Sequence, residues 1–112
     1  RPVDVAAEVV IVDADASGWP DPAAVTVALV ERGLLAVLIE GGPRLLGSLW
    51  KRKLVDAGVT YLGAMVAGGA GASPFAGPWE TLSDGATILI TEVRQVGPDV
   101  RVDWRPVRSG GE

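Results

Sequence analysis

The sequence predicts an α/β fold in which a strand–helix–strand unit is followed by a second helix and an antiparallel hairpin. Two short apolar runs flank a helix-like segment, which is typical of parallel strands joined by a crossover helix. Near the C-terminus, two segments of strand composition are separated by Gly97-Pro98-Asp99, which predicts a hairpin turn. The 112 residues suit one hydrophobic core, so residues 1–112 are expected to form a single unit.

The predicted crossover begins with a Val-rich run from Val5 to Val12. Asp21-Pro22 then places a capping carboxylate before a proline at the first helical position. The helix is expected to stop at Gly33, where the chain turns left-handed. Leu34 to Ile39 is a second apolar run, short enough for a strand buried on both faces. This order predicts one right-handed βαβ crossover.

A second helix is predicted to begin at Pro43, and its apolar stripe consists of Leu45, Leu46, Leu49 and Trp50. Val59 to Ala67 has the composition of a third strand, and residues 70–85 are expected to form an irregular connection with one short helical turn. Thr87 to Val96 is rich in β-branched residues. The last strand alternates apolar and charged residues up to Trp104, which favours an edge position with one wet face.

Composition excludes several classes of function. The net charge of −4 argues against a broad nucleic-acid-binding face. Without cysteine or histidine, the chain has no disulfide, no Cys or His metal site and no Ser-His-Asp triad of its own. No apolar stretch approaches the roughly 18 residues of a membrane span, so no membrane partner is expected and the cytoplasm is the expected location. The opening Arg1-Pro2 indicates a fragment.

The segment from Ile39 to Ser48 has the form of a phosphate-binding strand-to-helix turn. Glu40 is delivered at the end of a strand, Gly41 and Gly42 permit close approach of a ligand, and a helix begins at once. The free N–H groups expected at Arg44, Leu45 and Leu46, together with the helix dipole, favour a diphosphate. The spacing alone fits a plain strand-to-helix connection equally well, because this is not a complete G-x-G-x-x-G fingerprint.

Other candidates have simpler explanations. Gly68-Gly69 is a second position for cofactor contact, although a flexible loop explains it better. Asp13 and Asp15 follow a predicted strand, where paired acids are usually solvated. Trp50 fits the core better than a stacking platform. The run Lys51-Arg52-Lys53 is best interpreted as a helix end in water.

Several ordered motifs give the chain a family resemblance: Leu38 to Leu49, Lys53 to Asp56, Tyr61 to Gly69 and Val96 to Val100. In this order and spacing they resemble the C-terminal half of the reductase domain of the bifunctional riboflavin-biosynthesis deaminase/reductases. The resemblance implies a dihydrofolate-reductase-like mixed sheet flanked by helices, a homodimer, and NADPH-dependent reduction of the ribosyl group of 5-amino-6-(ribosylamino)uracil 5'-phosphate to ribityl. Such hydride chemistry is supplied by the cofactor and needs neither histidine nor cysteine.

The same resemblance assigns the site residues. Glu40 matches the substrate-contacting glutamate, and no residue of this chain is assigned as catalytic. The turn and first helical residues match the loop that holds the NADP phosphates, so the expected cofactor-binding residues are Gly41, Gly42, Pro43, Arg44, Leu45, Leu46, Gly47 and Ser48.

Two departures from the family pattern stand out, namely Ala64 in place of a proline and Ala57-Gly58 in place of an acidic residue. The family's first strands have no counterpart, so the chain is expected to be half a domain that is inactive without its N-terminal half. Two other functions stay open. One is a non-catalytic nucleotide-binding module of this fold, and the other is a same-fold reductase with another substrate.

Overall fold

The computed structural model describes residues 6–69, 71, 73–77 and 85–108. In chain order, its elements are α1 (Pro22–Glu31), α2 (Pro43–Lys51), β1 (Gly58–Leu62), β2 (Ile88–Val96) and β3 (Asp99–Pro106). The chain divides into two compact units, Arg1–Glu40 and Gly41–Glu112. The first unit contains α1, and the second contains α2 and the three strands.

Helix α1 has the two ends that the sequence predicts. Asp21 is the N-cap, and its carboxylate accepts a hydrogen bond from the Ala24 N–H (3.2 Å) while Pro22 is buried at the first helical position. Gly33 follows the helix with φ +79°. The end is a Schellman motif, closed by hydrogen bonds from Gly33 N–H to Val30 O (2.9 Å) and from Leu34 N–H to Leu29 O (3.1 Å).

The two strands predicted around α1 are wrong. Residues 6–12 and 34–39 carry no strand, and Val5 lies outside the described residues. Their apolar side chains are largely exposed, with Ile11 at 94%, Leu35 at 87% and Leu38 at 82%. A run of strand composition becomes a strand only where a neighbour accepts its ladder hydrogen bonds, and neither run finds such a neighbour within the described chain.

In the second unit, an antiparallel sheet has the strand order β1-β3-β2. The predicted hairpin is confirmed: Val96 pairs with Asp99, which leaves a two-residue loop of Gly97 and Pro98. Gly97 has φ +60°, as a type II′ hairpin turn requires at its first central position. The edge position predicted for the last strand is wrong, because β1 pairs with the free side of β3 and makes it the central strand.

Strand β1 is shorter than the predicted run to Ala67 because its partner ends first. The last pair is Leu62 with Val100, beyond which the hairpin turn begins. The Ala64 N–H donates instead to the Asp99 carboxylate (3.0 Å). A proline at this position would have no N–H for that bond. Of the irregular connection predicted over 70–85, residues 71 and 73–77 are irregular, whereas 70, 72 and 78–84 lie outside the described residues.

The core of the second unit is an aromatic cluster between α2 and the sheet. The rings of Trp50, Phe75 and Trp104 make three edge-to-face contacts with centroids 5.6 to 6.3 Å apart. Trp104 and Leu49 are the buried large apolar residues among those described. The Trp104 indole N–H donates to the Thr60 hydroxyl (2.9 Å). Trp50 is therefore a packing residue, as predicted.

No helix in the described part of the chain has the length and apolar character needed to cross a membrane.

Candidate functional site

The proposed phosphate turn lies at the N-terminus of α2. Gly42 is the N-cap in an extended conformation (φ −79°, ψ −178°) and Pro43 occupies the first turn. The prediction that the Leu46 N–H is free is wrong, because this group donates to the Gly42 carbonyl (3.0 Å) in the first α-helical hydrogen bond. In the first turn of α2, the backbone N–H groups that come before Leu46 in the chain are those of Arg44 and Leu45.

The two helices of the described residues begin in different ways. Asp21 caps α1 with its side chain, whereas α2 has no side-chain cap. Nothing in the described structure explains glycine at position 42: its φ is accessible to any residue, and an added Cβ would meet no atom within 4 Å. The position of a Cβ at Gly42 is therefore open in the described structure, and this end of α2 carries partial positive charge, a combination that fits a phosphate group.

Gly41 has a different environment from Gly42. A Cβ at Gly41 would lie 2.6 Å from Cδ2 of Leu45, the mobile end of a side chain that is itself 45% exposed. This glycine lets the turn pass close to the first turn of α2. Arg44 is exposed beside Leu45, and Leu46 and Ser48 are half-buried on the same helix.

Gly47 is buried against a loop segment that sequence reasoning did not single out. A Cβ at Gly47 would lie 2.0 Å from the Ala76 carbonyl oxygen, and the Ala76 N–H donates to the Pro43 carbonyl (3.0 Å). Loop packing thus explains glycine here without a cofactor, and contact between Gly47 and a cofactor stays a prediction. The one signal for this segment was Phe75, a lone large apolar residue in a loop of small residues.

Glu40 is exposed and is the last residue of the first compact unit, whereas Gly41 to Ser48 belong to the second. The predicted cofactor residues therefore all belong to the second unit, where they form the start of α2 and the two residues before it. Contact between Glu40 and a substrate stays a prediction.

The two other acidic candidates of the first unit, Asp13 and Asp15, take part in a loop structure. The Asp15 carboxylate accepts hydrogen bonds from the N–H groups of Ser17 (2.8 Å) and Trp19 (3.0 Å), and the Asp13 carbonyl accepts one from Asp21 (2.8 Å). These contacts close the loop before α1. In the second unit, Gly69 has φ +110° in an irregular segment, which fits the loop interpretation.

Comparison with known proteins identifies the family. The model of the RibD C-terminal domain family matches residues 7–102. The chain belongs to this family. The family resemblance drawn from the four ordered motifs between Leu38 and Val100 is therefore confirmed.

Among curated proteins, the riboflavin biosynthesis protein RibD of Chlamydia muridarum is 40% identical to the chain over 74 residues. RibD of Chlamydia trachomatis serovar D is 38% identical over 73 residues. Each alignment covers 65% of this chain and 20% of the relative. The chain thus spans about a fifth of the length of these relatives.

Solved structures of RibD from Acinetobacter baumannii, in two forms, superpose on the chain with a TM-score of 0.69. They are 21% identical to it, and the match covers 80% of this chain and 26% of those chains. This likeness confirms the predicted dihydrofolate-reductase-like fold class. The absence of the two strands predicted around α1 changes the secondary structure of those segments and leaves the fold class unchanged.

Proposed function

We propose that the full-length protein reduces the ribosyl group of 5-amino-6-(ribosylamino)uracil 5'-phosphate to a ribityl chain, with NADPH as hydride donor. The observation that carries the proposal is Gly42. A helix start without a side-chain cap, at which a Cβ added to the N-cap glycine would meet no atom within 4 Å, supports diphosphate binding, and membership of the RibD C-terminal domain family supports the reaction.

In this proposal, the first turn of α2 holds the cofactor phosphates. The backbone donors of Arg44 and Leu45 and the helix dipole supply partial positive charge, and the Arg44 guanidinium adds a full charge from an exposed position. The Ser48 side chain, one turn further on, adds a hydroxyl donor. Glu40, just before the turn, accepts hydrogen bonds from substrate hydroxyl groups.

Three further functional expectations stay predictions. They are a homodimer, a cytoplasmic location, and completion of the site by an N-terminal half without which this chain is inactive. The share of its relatives that the chain spans, about a fifth, supports the last of these.

The cofactor turn is tested by a pair of variants of the full-length protein, Gly42→Asp and Gly42→Asn. Asp and Asn have the same size and both are good N-caps, so helix stability should be equal to or better than in the wild type. Only Asp places a negative charge beside the phosphates. We expect Gly42→Asp to bind NADPH at least about fivefold more weakly than Gly42→Asn, from a repulsion of ~1 kcal/mol at about 4 Å in water.

Cofactor fluorescence measures the affinity, and the same titration with NADH tests the choice of cofactor. Equal NADPH affinity in the wild type and both variants would rule out this turn as the phosphate site. For the substrate, Glu40→Gln should raise KM for the ribosylaminopyrimidine and leave NADPH affinity unchanged. A KM that does not change would remove Glu40 from the substrate site.

A further inference from the structure

A cavity lies at the opposite end of α2 from the phosphate turn. Its volume is about 730 Å³, and it is open to solvent. Among the described residues, its lining contains three cationic side chains and no acidic one, although the chain as a whole carries a net charge of −4. The lining residues are Trp50, Lys51, Lys53, Val55, Ala86, Thr87, Pro106, Val107 and Arg108.

Lys53 occupies a backbone position that glycine usually takes. It follows α2 with φ +58°, and it is the non-glycine residue with positive φ in the described chain. Helix α2 ends in the same Schellman motif as α1, with hydrogen bonds from Lys53 N–H to Trp50 O (2.9 Å) and from Leu54 N–H to Leu49 O (2.9 Å). At the equivalent position α1 has Gly33, so this chain accepts a strained lysine where its other helix has an unstrained glycine.

Arg108, which also lines the cavity, is held in place. Its guanidinium donates to the Val55 carbonyl and lies 3.6 Å from the Asp56 carboxylate. Trp50, Val55 and Pro106 are half-buried and give the cavity apolar walls. The carbonyl oxygens at the end of α2 disfavour an anion, but those of Leu49 and Trp50 already accept the two hydrogen bonds of the Schellman motif.

We propose that this cavity binds a small phosphomonoester that carries an apolar ring. The ring lies against Trp50 and its apolar neighbours, and the phosphate is held by Lys51, Lys53 and Arg108. The site is separate from the phosphate turn, because the nine residues of α2 hold the two ends about 13 Å apart. It binds its ligand whether or not the turn at Gly42 holds NADPH.

The test uses phenyl phosphate as the probe and isothermal calorimetry on the full-length protein saturated with NADPH, so that the phosphate turn is occupied. Phenol and inorganic phosphate carry the two halves of the probe separately. We expect both to bind at least about fivefold more weakly than phenyl phosphate. If either half binds as tightly as phenyl phosphate, the proposed ligand class is wrong.

Lys53→Gly gives two expected changes in opposite directions. Phenyl phosphate affinity should fall about fivefold with the lost charge, while Tm should rise by roughly 2–4 °C with the relieved strain. Lys53→Arg should retain the affinity. Arg52→Gln removes the neighbouring cation that does not line the cavity, and its affinity should stay within about twofold of the wild type.

The rise in Tm shows that a loss of binding in Lys53→Gly does not come from misfolding. Phenyl phosphate affinity equal in Lys53→Gly and wild type would overturn the proposal, as would an equal loss in Arg52→Gln. None of these results depends on NADPH binding at Gly42, so this proposal and the proposed function fail separately.

Discussion

Gly47→Ala should destabilise the protein, against the usual effect of this substitution in a helix. In an exposed helix interior, replacing glycine by alanine stabilises by ~1 kcal/mol. Here the new Cβ would lie 2.0 Å from the Ala76 oxygen. A carbon in ordinary contact lies ~3.5 Å away, so the loop segment must retreat by ~1.5 Å.

The cost of this retreat follows from the contacts that the segment makes. The Ala76 N–H to Pro43 bond, now 3.0 Å, would leave hydrogen-bonding range, which costs ~1 kcal/mol. Phe75 would move away from Trp50 and Trp104, and each edge contact contributes ~0.5–1.5 kcal/mol. After the helix gain is subtracted, we expect the free energy of unfolding to fall by about 1–3 kcal/mol.

Urea unfolding followed by tryptophan fluorescence measures this change, and the midpoint should fall by about 1 M. Gly63→Ala is the matched control, since an added Cβ there meets no atom within 4 Å and the effect should stay within ~0.5 kcal/mol. A midpoint for Gly47→Ala at or above that of the wild type would refute the packing of Phe75 and Ala76 against α2.

Two further predictions concern β3. The hydrogen bond from Arg101 (2.7 Å) holds the pKa of Asp103 below its ordinary value of 3.8. The pair therefore stabilises the folded state above that pH, and this stabilisation is lost as the pH falls through the lowered pKa. Between pH 5 and 2, the urea midpoint should therefore drop less in Asp103→Asn than in the wild type. Equal drops would show that the pair contributes nothing to stability. Trp104→Phe should lower the free energy of unfolding by about 1–2 kcal/mol through the lost indole bond to Thr60 and reduced packing, and a thermal melt equal to that of wild type would contradict this.

The features that the sequence predicts correctly are local ones. Asp21 and Gly33 define the ends of α1 because a cap acts on backbone groups within a few residues. Pro43 begins α2 for the same kind of reason, and Gly97 makes the hairpin turn with its own positive φ. The order of short motifs around these positions also predicted the family correctly.

Apart from the Leu46 N–H, the incorrect predictions concern pairing between distant residues. Leu34 to Ile39 has the composition of a buried strand, but composition does not supply the neighbouring strand. The alternation of apolar and charged residues in β3 predicts one solvent-exposed face. This alternation contains no information about how many strands pair with β3. At the site, Gly42 and Gly47 look alike in sequence. Only the position of Ala76 shows that the second one is packed.

The strand order β1-β3-β2 has a consequence for the kinetics of folding. The β2–β3 hairpin closes a loop of two residues and can form on the microsecond scale, whereas pairing Leu62 with Val100 must close the long connection between β1 and β2. We therefore expect the hairpin to form first. Trp104 then already lies on β3 when β1 pairs with that strand. The rate of folding is then limited by the arrival of β1, whose Thr60 completes the hydrogen bond of that indole.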